Sequence, residues 1–141
     1  MRKQTIALSY AIRLPVVLKY FGQLCLVLAV ITLLPFVVSL FFGDFNISLR
    51  YLIVIVGVSS LGAVLSRLRK PSRVQTNEAM VLVTLIFLFT PLVMSYPMMG
   101  AGLDFLDAFF EAISGGTTTG LSTTATVENK SSTFLFARAW M

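Results

Sequence analysis

Histidine is absent from these 141 residues, and cysteine occurs once, at position 25 within an apolar run. The first absence removes most zinc, haem and triad chemistry, and the second excludes an intramolecular disulfide. Charge is scarce too. Asp, Glu, Lys and Arg make up 12% of the chain, against about a quarter in soluble domains. Apolar residues make up 57% and the mean hydropathy is +0.89. Such a chain reads as a membrane protein. At roughly 20 residues per helical crossing it holds three or four crossings and has little room for a separate soluble domain. No cofactor site is expected, and no enzymatic function. The net charge of +5 and pI of about 9.8 would suit nucleic acid, but the cations sort by loop rather than gathering in one patch. The bilayer is the expected partner, not nucleic acid.

Residues 20–42 carry no charge and are long enough for a first crossing, bent near Pro35. The basic start resembles a secretory leader, but the apolar run is too long and lacks a small-residue cleavage site. A second crossing is expected over 51–66, with Arg50 and Arg67 snorkelling to the two interfaces and Tyr51 anchoring at one of them. The basic stretch R-L-R-K-P-S-R then closes it in a polar loop at Pro71. Thr76 or Asn77 offers the N-cap of a third helix, with Glu78 in its first turn, and this helix should loosen between Pro91 and Pro97. With the N-terminus inside, Arg2, Lys3, Arg13, Lys19, Arg67, Arg69, Lys70 and Arg73 all fall on the cytoplasmic side, eight of eleven basic residues. The positive-inside rule selects that orientation, and Asp44, Asp104, Asp107, Glu111 and Glu128 then lie outside.

After the third crossing, D-F-L-D-A-F-F-E-A-I-S makes about three turns of helix, too short to span, with Asp104 and Asp107 at its positive end and Gly115 and Gly116 able to end it. G-T-T-T-G-L-S follows. Irregular backbone at membrane depth needs a protein or water-filled surrounding. A helix whose negative end points inward, continued by threonines and a glycine, is suited to attract a cation and to replace its hydration shell with carbonyl oxygens.

The run D-A-F-F-E-A-I-S-G-G-T-T-T-G-L-S, from Asp107 to Ser122, resembles the first pore loop of the Trk/Ktr/HKT family of potassium transporters. Two helices ahead of it resemble the TrkH/TrkG branch, and Arg138 and Trp140 fit the start of that family's next helix. The resemblance implies an all-α membrane fold of four helix, pore-loop, helix repeats around one pore. This chain would hold an N-terminal two-helix region and basic loop (1–75) and the first repeat (76–141): outer helix 77–96, pore helix 104–115, filter 117–121 and the start of an inner helix at 134–141. It would be an N-terminal fragment cut within that inner helix, in a bacterial inner membrane. The resemblance further implies that Thr118, Thr119, Gly120 and Leu121 supply filter oxygens to potassium, with Thr117 beneath them as a further ligand. It also implies a homodimer of full-length chains and a cytosolic nucleotide-binding subunit of TrkA type. Gly116 departs from the family pattern, where a larger apolar residue is expected.

Other readings of the loop are weaker. It lacks the Lys-Ser/Thr ending of a phosphate-binding loop and follows a helix rather than a strand. A non-transporting scaffold subunit with a Thr-rich external loop is the rival reading. Asp107 is expected to cap the pore helix. Glu111 should hold the loop by hydrogen bonds or add negative potential at the pore mouth. Phe105, Phe109 and Phe110 are expected to pack, Trp140 to anchor at an interface, and Cys25 to be an inert buried thiol.

Overall fold

Long apolar runs set the first three helices of the computed structural model, which describes residues 12–68, 73–123 and 131–141. Arg2, Lys3, Arg69, Lys70, Pro71 and Glu128, on which part of the orientation argument rests, lie outside the described residues. Among the described residues every regular element is helical. Helices α1 (Leu14–Phe41), α2 (Phe45–Ser66) and α3 (Thr76–Met98) are followed by a 3₁₀ turn (Met99–Ala101), then α4 (Phe105–Gly116) and α5 (Ser132–Trp140). The first three are long and apolar enough to cross a membrane.

Their boundaries differ from the sequence expectation where local chemistry or packing extends a helix. α1 begins at Leu14 because Pro15 sits in the first turn, where its missing N–H costs nothing. α2 begins at Phe45, so Arg50 lies within the helix instead of snorkelling at its end. Its Nη1 donates to the Tyr96 carbonyl at 3.2 Å, and its guanidinium lies 5.1 Å over the Tyr96 ring. The same extension draws Tyr51 into the helix interior. It is 1% exposed and packs with Ile47, Met94, Met98, Ala108, Ala112, Phe134 and Ala137, not at an interface. α3 is capped by Gln75, whose N–H donates to Glu78 Oε2 at 2.9 Å, and not by Thr76 or Asn77. It does not loosen at Pro91 and Pro97 but runs through both, which are buried against neighbouring helices. Arg50 meets one of the carbonyls near its end, as helix ends require.

α1 and α2 form an antiparallel hairpin. Gly43, at φ +74, makes the left-handed residue of its turn, with Gly43 N–H donating to Leu40 O and Asp44 N–H to Ser39 O. The α1 side of the seam is rich in small and hydroxyl residues, onto which Val54 and Val58 of α2 pack. Gly22, Cys25, Ala29, Thr32 and Ser39 are buried, while Val30, Val64 and Leu88 are each 66% exposed. Three- and four-residue steps keep the small side chains on one face, and close approach of backbones replaces the hydrophobic drive that is missing in lipid. A Cβ on Gly22 would stand 2.6 Å from Leu65 Cβ, and one on Gly62 would stand 2.8 Å from the Gly22 carbonyl oxygen. At the far end of the hairpin, Arg13 grips the wholly buried Glu78 of α3 through Nε at 2.8 Å and Nη2 at 2.9 Å, and also reaches the Arg73 carbonyl.

Gly22→Val and Gly62→Val are each expected to destabilise the hairpin by about 1–3 kcal/mol through overpacking. Gly57→Val, where a Cβ meets nothing within 4 Å, should stay within about 0.5 kcal/mol. Unfolding in detergent micelles measures the difference.

Candidate functional site

Gly102, at φ +78, turns the chain back after the 3₁₀ turn. Asp104, and not Asp107, then occupies the N-cap of α4, and its side chain makes no capping bond. Asp107 lies in the first turn, where its charge still complements the helix dipole. Twelve residues give a helix about 18 Å long, too short to span. Its buried face is Ala108, Glu111, Ala112 and Ser114, while Phe105 and Phe109 stack on each other with ring centroids 6.0 Å apart.

α4 ends at Gly116, the second of the two glycines expected to end it. The stop uses the device seen at Gly43: Thr118 N–H donates to Gly115 O and Thr119 N–H to Ser114 O, both at 3.0 Å. Here the left-handed position is held by Thr118, at φ +54. A β-branched residue there costs roughly 1–2 kcal/mol, and strain of this kind clusters at functional sites. The two glycines differ. A Cβ on Gly115 would stand 3.2 Å from the Arg138 carbonyl oxygen, so its smallness lets α5 approach α4. At Gly116 a Cβ meets nothing, and the larger residue expected there would fit.

The depth of the α4 end follows from its neighbours. Gly116 and Thr117 line a cavity of about 350 Å³ together with Ile31 and Thr32, midway along α1, and Pro91 and Met94 of α3. α5 starts beside the α1–α2 turn, where Thr133 donates to Asp44 Oδ2, and at Trp140 its Nε1 donates to the Ile31 carbonyl at 3.3 Å. α4 thus runs from one end of the bundle to mid-height, and α5 starts again at that same end.

Thr117, Thr118, Thr119, Gly120 and Leu121 are contiguous and exposed after α4. The Thr117 hydroxyl donates to Ile113 O at 2.7 Å and lies 2.6 Å from the Thr119 hydroxyl. Gly120 adopts φ +74, and a Cβ on it would meet nothing within 4 Å, so backbone strain alone opposes a side chain there. The Leu121 carbonyl accepts from Ser114 Oγ at 2.6 Å and Arg138 Nη2 at 3.1 Å, and the Gly120 carbonyl from Arg138 Nη2 at 3.3 Å. Among the described residues, no hydrogen bond engages the carbonyls of Thr118 and Thr119.

Glu111 supports the loop from behind. It is wholly buried, and its Oε1 accepts from the Ser122 hydroxyl and from Thr123 N–H at 2.9 Å. Its Oε2 lies 3.1 Å from Arg138 Nε, in ion-pair range but outside hydrogen-bond alignment. Of the two roles expected for Glu111, the geometry shows the first, holding the loop. The partners Ser114, Ser122 and Thr123 have no sequence signal beyond being hydroxyls within reach of a loop. Trp140 is a partner for α1 through Ile31 rather than an interfacial anchor alone, and Cys25 is fully buried, as expected.

No protein-family model matches the chain. Over 127 residues it is 29% identical to a protein of Methanocaldococcus jannaschii described as an uncharacterized cation transporter. The similarity covers 88% of this chain and 26% of that protein, so the chain spans about a quarter of its relative's length.

Thr118→Gly should raise stability by about 1 kcal/mol, since glycine adopts positive φ freely; an unchanged or lowered unfolding midpoint would contradict the strain assignment. Glu111→Ala, which leaves the guanidinium of Arg138 without its carboxylate, should cost about 3–5 kcal/mol. Glu111→Gln, which keeps an acceptor for Thr123 N–H, should cost less in the same assay.

Proposed function

We propose that the chain forms part of a cation transporter, and more narrowly that it contributes one pore loop of a Trk-type potassium uptake protein. The observation that carries the reading is the depth at which α4 stops. Its end lies at mid-height of the long helices and continues into a Thr- and Gly-rich segment. Non-helical backbone is tolerated there only against protein or a watery cavity. The likeness to a cation transporter supports the coarser part of this reading, and the match of D-A-F-F-E-A-I-S-G-G-T-T-T-G to the potassium family supports the finer part.

In this reading the open carbonyls of Thr118 and Thr119 are the principal ligands of a dehydrated potassium ion. Thr117 lies beneath them. Gly120 and Leu121 complete the filter while their carbonyls are held by Arg138 and Ser114; a carbonyl has two lone pairs and can serve a donor and an ion together. The C-terminal end of α4 adds its negative partial charge. The N-terminus is cytoplasmic, the membrane is a bacterial inner membrane, and a homodimer with a TrkA-type nucleotide-binding subunit is the expected assembly.

The test is complementation of a potassium-uptake-deficient bacterium on low potassium by the complete reading frame. Rescue is expected, and Gly120→Ser should lower potassium-over-sodium preference by about tenfold, since a strain of about 1–2 kcal/mol falls on the filter backbone. Unchanged preference in a well-expressed Gly120→Ser protein would remove the filter assignment. Failure of an inserted, expressed parent with its regulatory subunit present would favour a scaffold role.

A further inference from the structure

α5, over Ser132–Trp140, is held by other elements at two separate points. Its first turn is capped by Ser131 Oγ, which accepts from Phe134 N–H. In that turn the fully buried Thr133 donates to Oδ2 of Asp44, the N-cap of α2 in the α1–α2 turn. Phe134 and Ala137, each 2% exposed, pack against the core formed with α2, α3 and α4.

Trp140 is held by a different chemistry. Pro35 lies inside α1 and has no N–H, so the carbonyl four residues earlier, on Ile31, loses its intrahelical donor. Trp140 Nε1 donates to that carbonyl. Phe136 stacks on the Trp140 ring at 6.3 Å and supports its orientation. Between these two fixed points lies Arg138, whose guanidinium meets Glu111 and the carbonyls of Gly120 and Leu121.

We infer that the α1–α2 hairpin is a brace for the Thr-rich loop, with Asp44 and the Pro35-freed carbonyl of Ile31 fixing α5 at Thr133 and at Trp140 and so fixing Arg138 against the loop carbonyls. Asp44, Thr133 and Trp140 are positioning residues that act through Arg138. The transport consequence rests on the pore-loop reading. The mechanical one does not.

Two measurements on the complete protein separate these. In proteoliposomes, Asp44→Ala, Thr133→Val and Trp140→Phe should each lower the potassium-to-sodium flux ratio by about five- to tenfold, the scale of one lost hydrogen bond. Asp44→Asn and Thr133→Ser, which keep the acceptor and the hydroxyl, should restore it. Pro35→Ala returns an N–H to the Ile31 carbonyl. If Trp140 merely satisfied that carbonyl, adding Pro35→Ala would repair Trp140→Phe; the brace requires the defect to persist. Gly120→Ser serves as the reference. A ratio altered by Gly120→Ser but by none of the brace variants overturns the brace and leaves the filter standing.

Spin labels at Leu106 of α4 and Ala139 of α5 give a readout independent of transport. Asp44→Ala and Trp140→Phe should broaden the distance distribution, and Asp44→Asn should not. Unchanged distributions overturn the brace. Broadened distributions with no flux effect from any variant, Gly120→Ser included, keep the brace and overturn the pore-loop reading.

Discussion

A carboxylate fully removed from solvent needs partners on each of its oxygens, and Glu111 organises its surroundings to that end. One oxygen gathers Ser122 and Thr123 from the loop, and the other faces Arg138 of α5. An unpaired buried charge would cost several kcal/mol, so α4, the loop and α5 are tied to one geometry. The same guanidinium reaches the carbonyls of Gly120 and Leu121. A planar fork with several donors can serve a carboxylate and two backbone oxygens together; a lysine ammonium cannot match that geometry.

The long helices supply the frame for this knot. On the α1 face their contacts use small residues and hydroxyls, because lipid surrounds leucine as comfortably as protein does, and Val54 and Val58 of α2 pack onto that face. Gly22 and Gly62 set the α1–α2 distance, the Arg13–Glu78 pair ties α1 to α3 at one end, and Arg50 ties α2 to α3 at the other. Three separated polar or steric fixings along one bundle restrict sliding and rotation more than a uniform apolar contact would.

Much of the fold was legible. Uncharged apolar runs mark α1 to α3, although the one over 51–66 is shorter than α2 itself, and the short acidic-to-glycine segment marks α4, since length and hydropathy are local properties. Boundaries were less so. Arg50 and Tyr51 read as end markers of a second helix because charge and aromatic rings favour interfaces, yet both lie inside α2 with partners on α3 and in the core. Pro91 and Pro97 read as loosening α3 because the sequence does not display the neighbours that bury them. The spacing of Gly22, Cys25, Ala29, Thr32 and Ser39 carries the hairpin seam, but it is legible only when small residues rather than large apolar ones are taken as the contact face. The Thr-rich loop itself was visible as an unusual composition in an apolar chain.

Sequence by itself determined that this chain is helical and apolar, where its long helices fall, and which short segment is chemically out of keeping with its surroundings. It did so because periodicity, length and backbone preferences act over a few residues. Tertiary structure decided which groups answer one another: Arg13 with Glu78, Asp44 with Thr133, Arg138 with Glu111, and Trp140 with the carbonyl that Pro35 leaves free. These partners lie far apart along the chain, up to 109 residues for Trp140 and Ile31, and a donor's need for an acceptor carries no address in the sequence. Only the packing of α1 to α3 brings them within hydrogen-bond range, and removal from water makes that range obligatory.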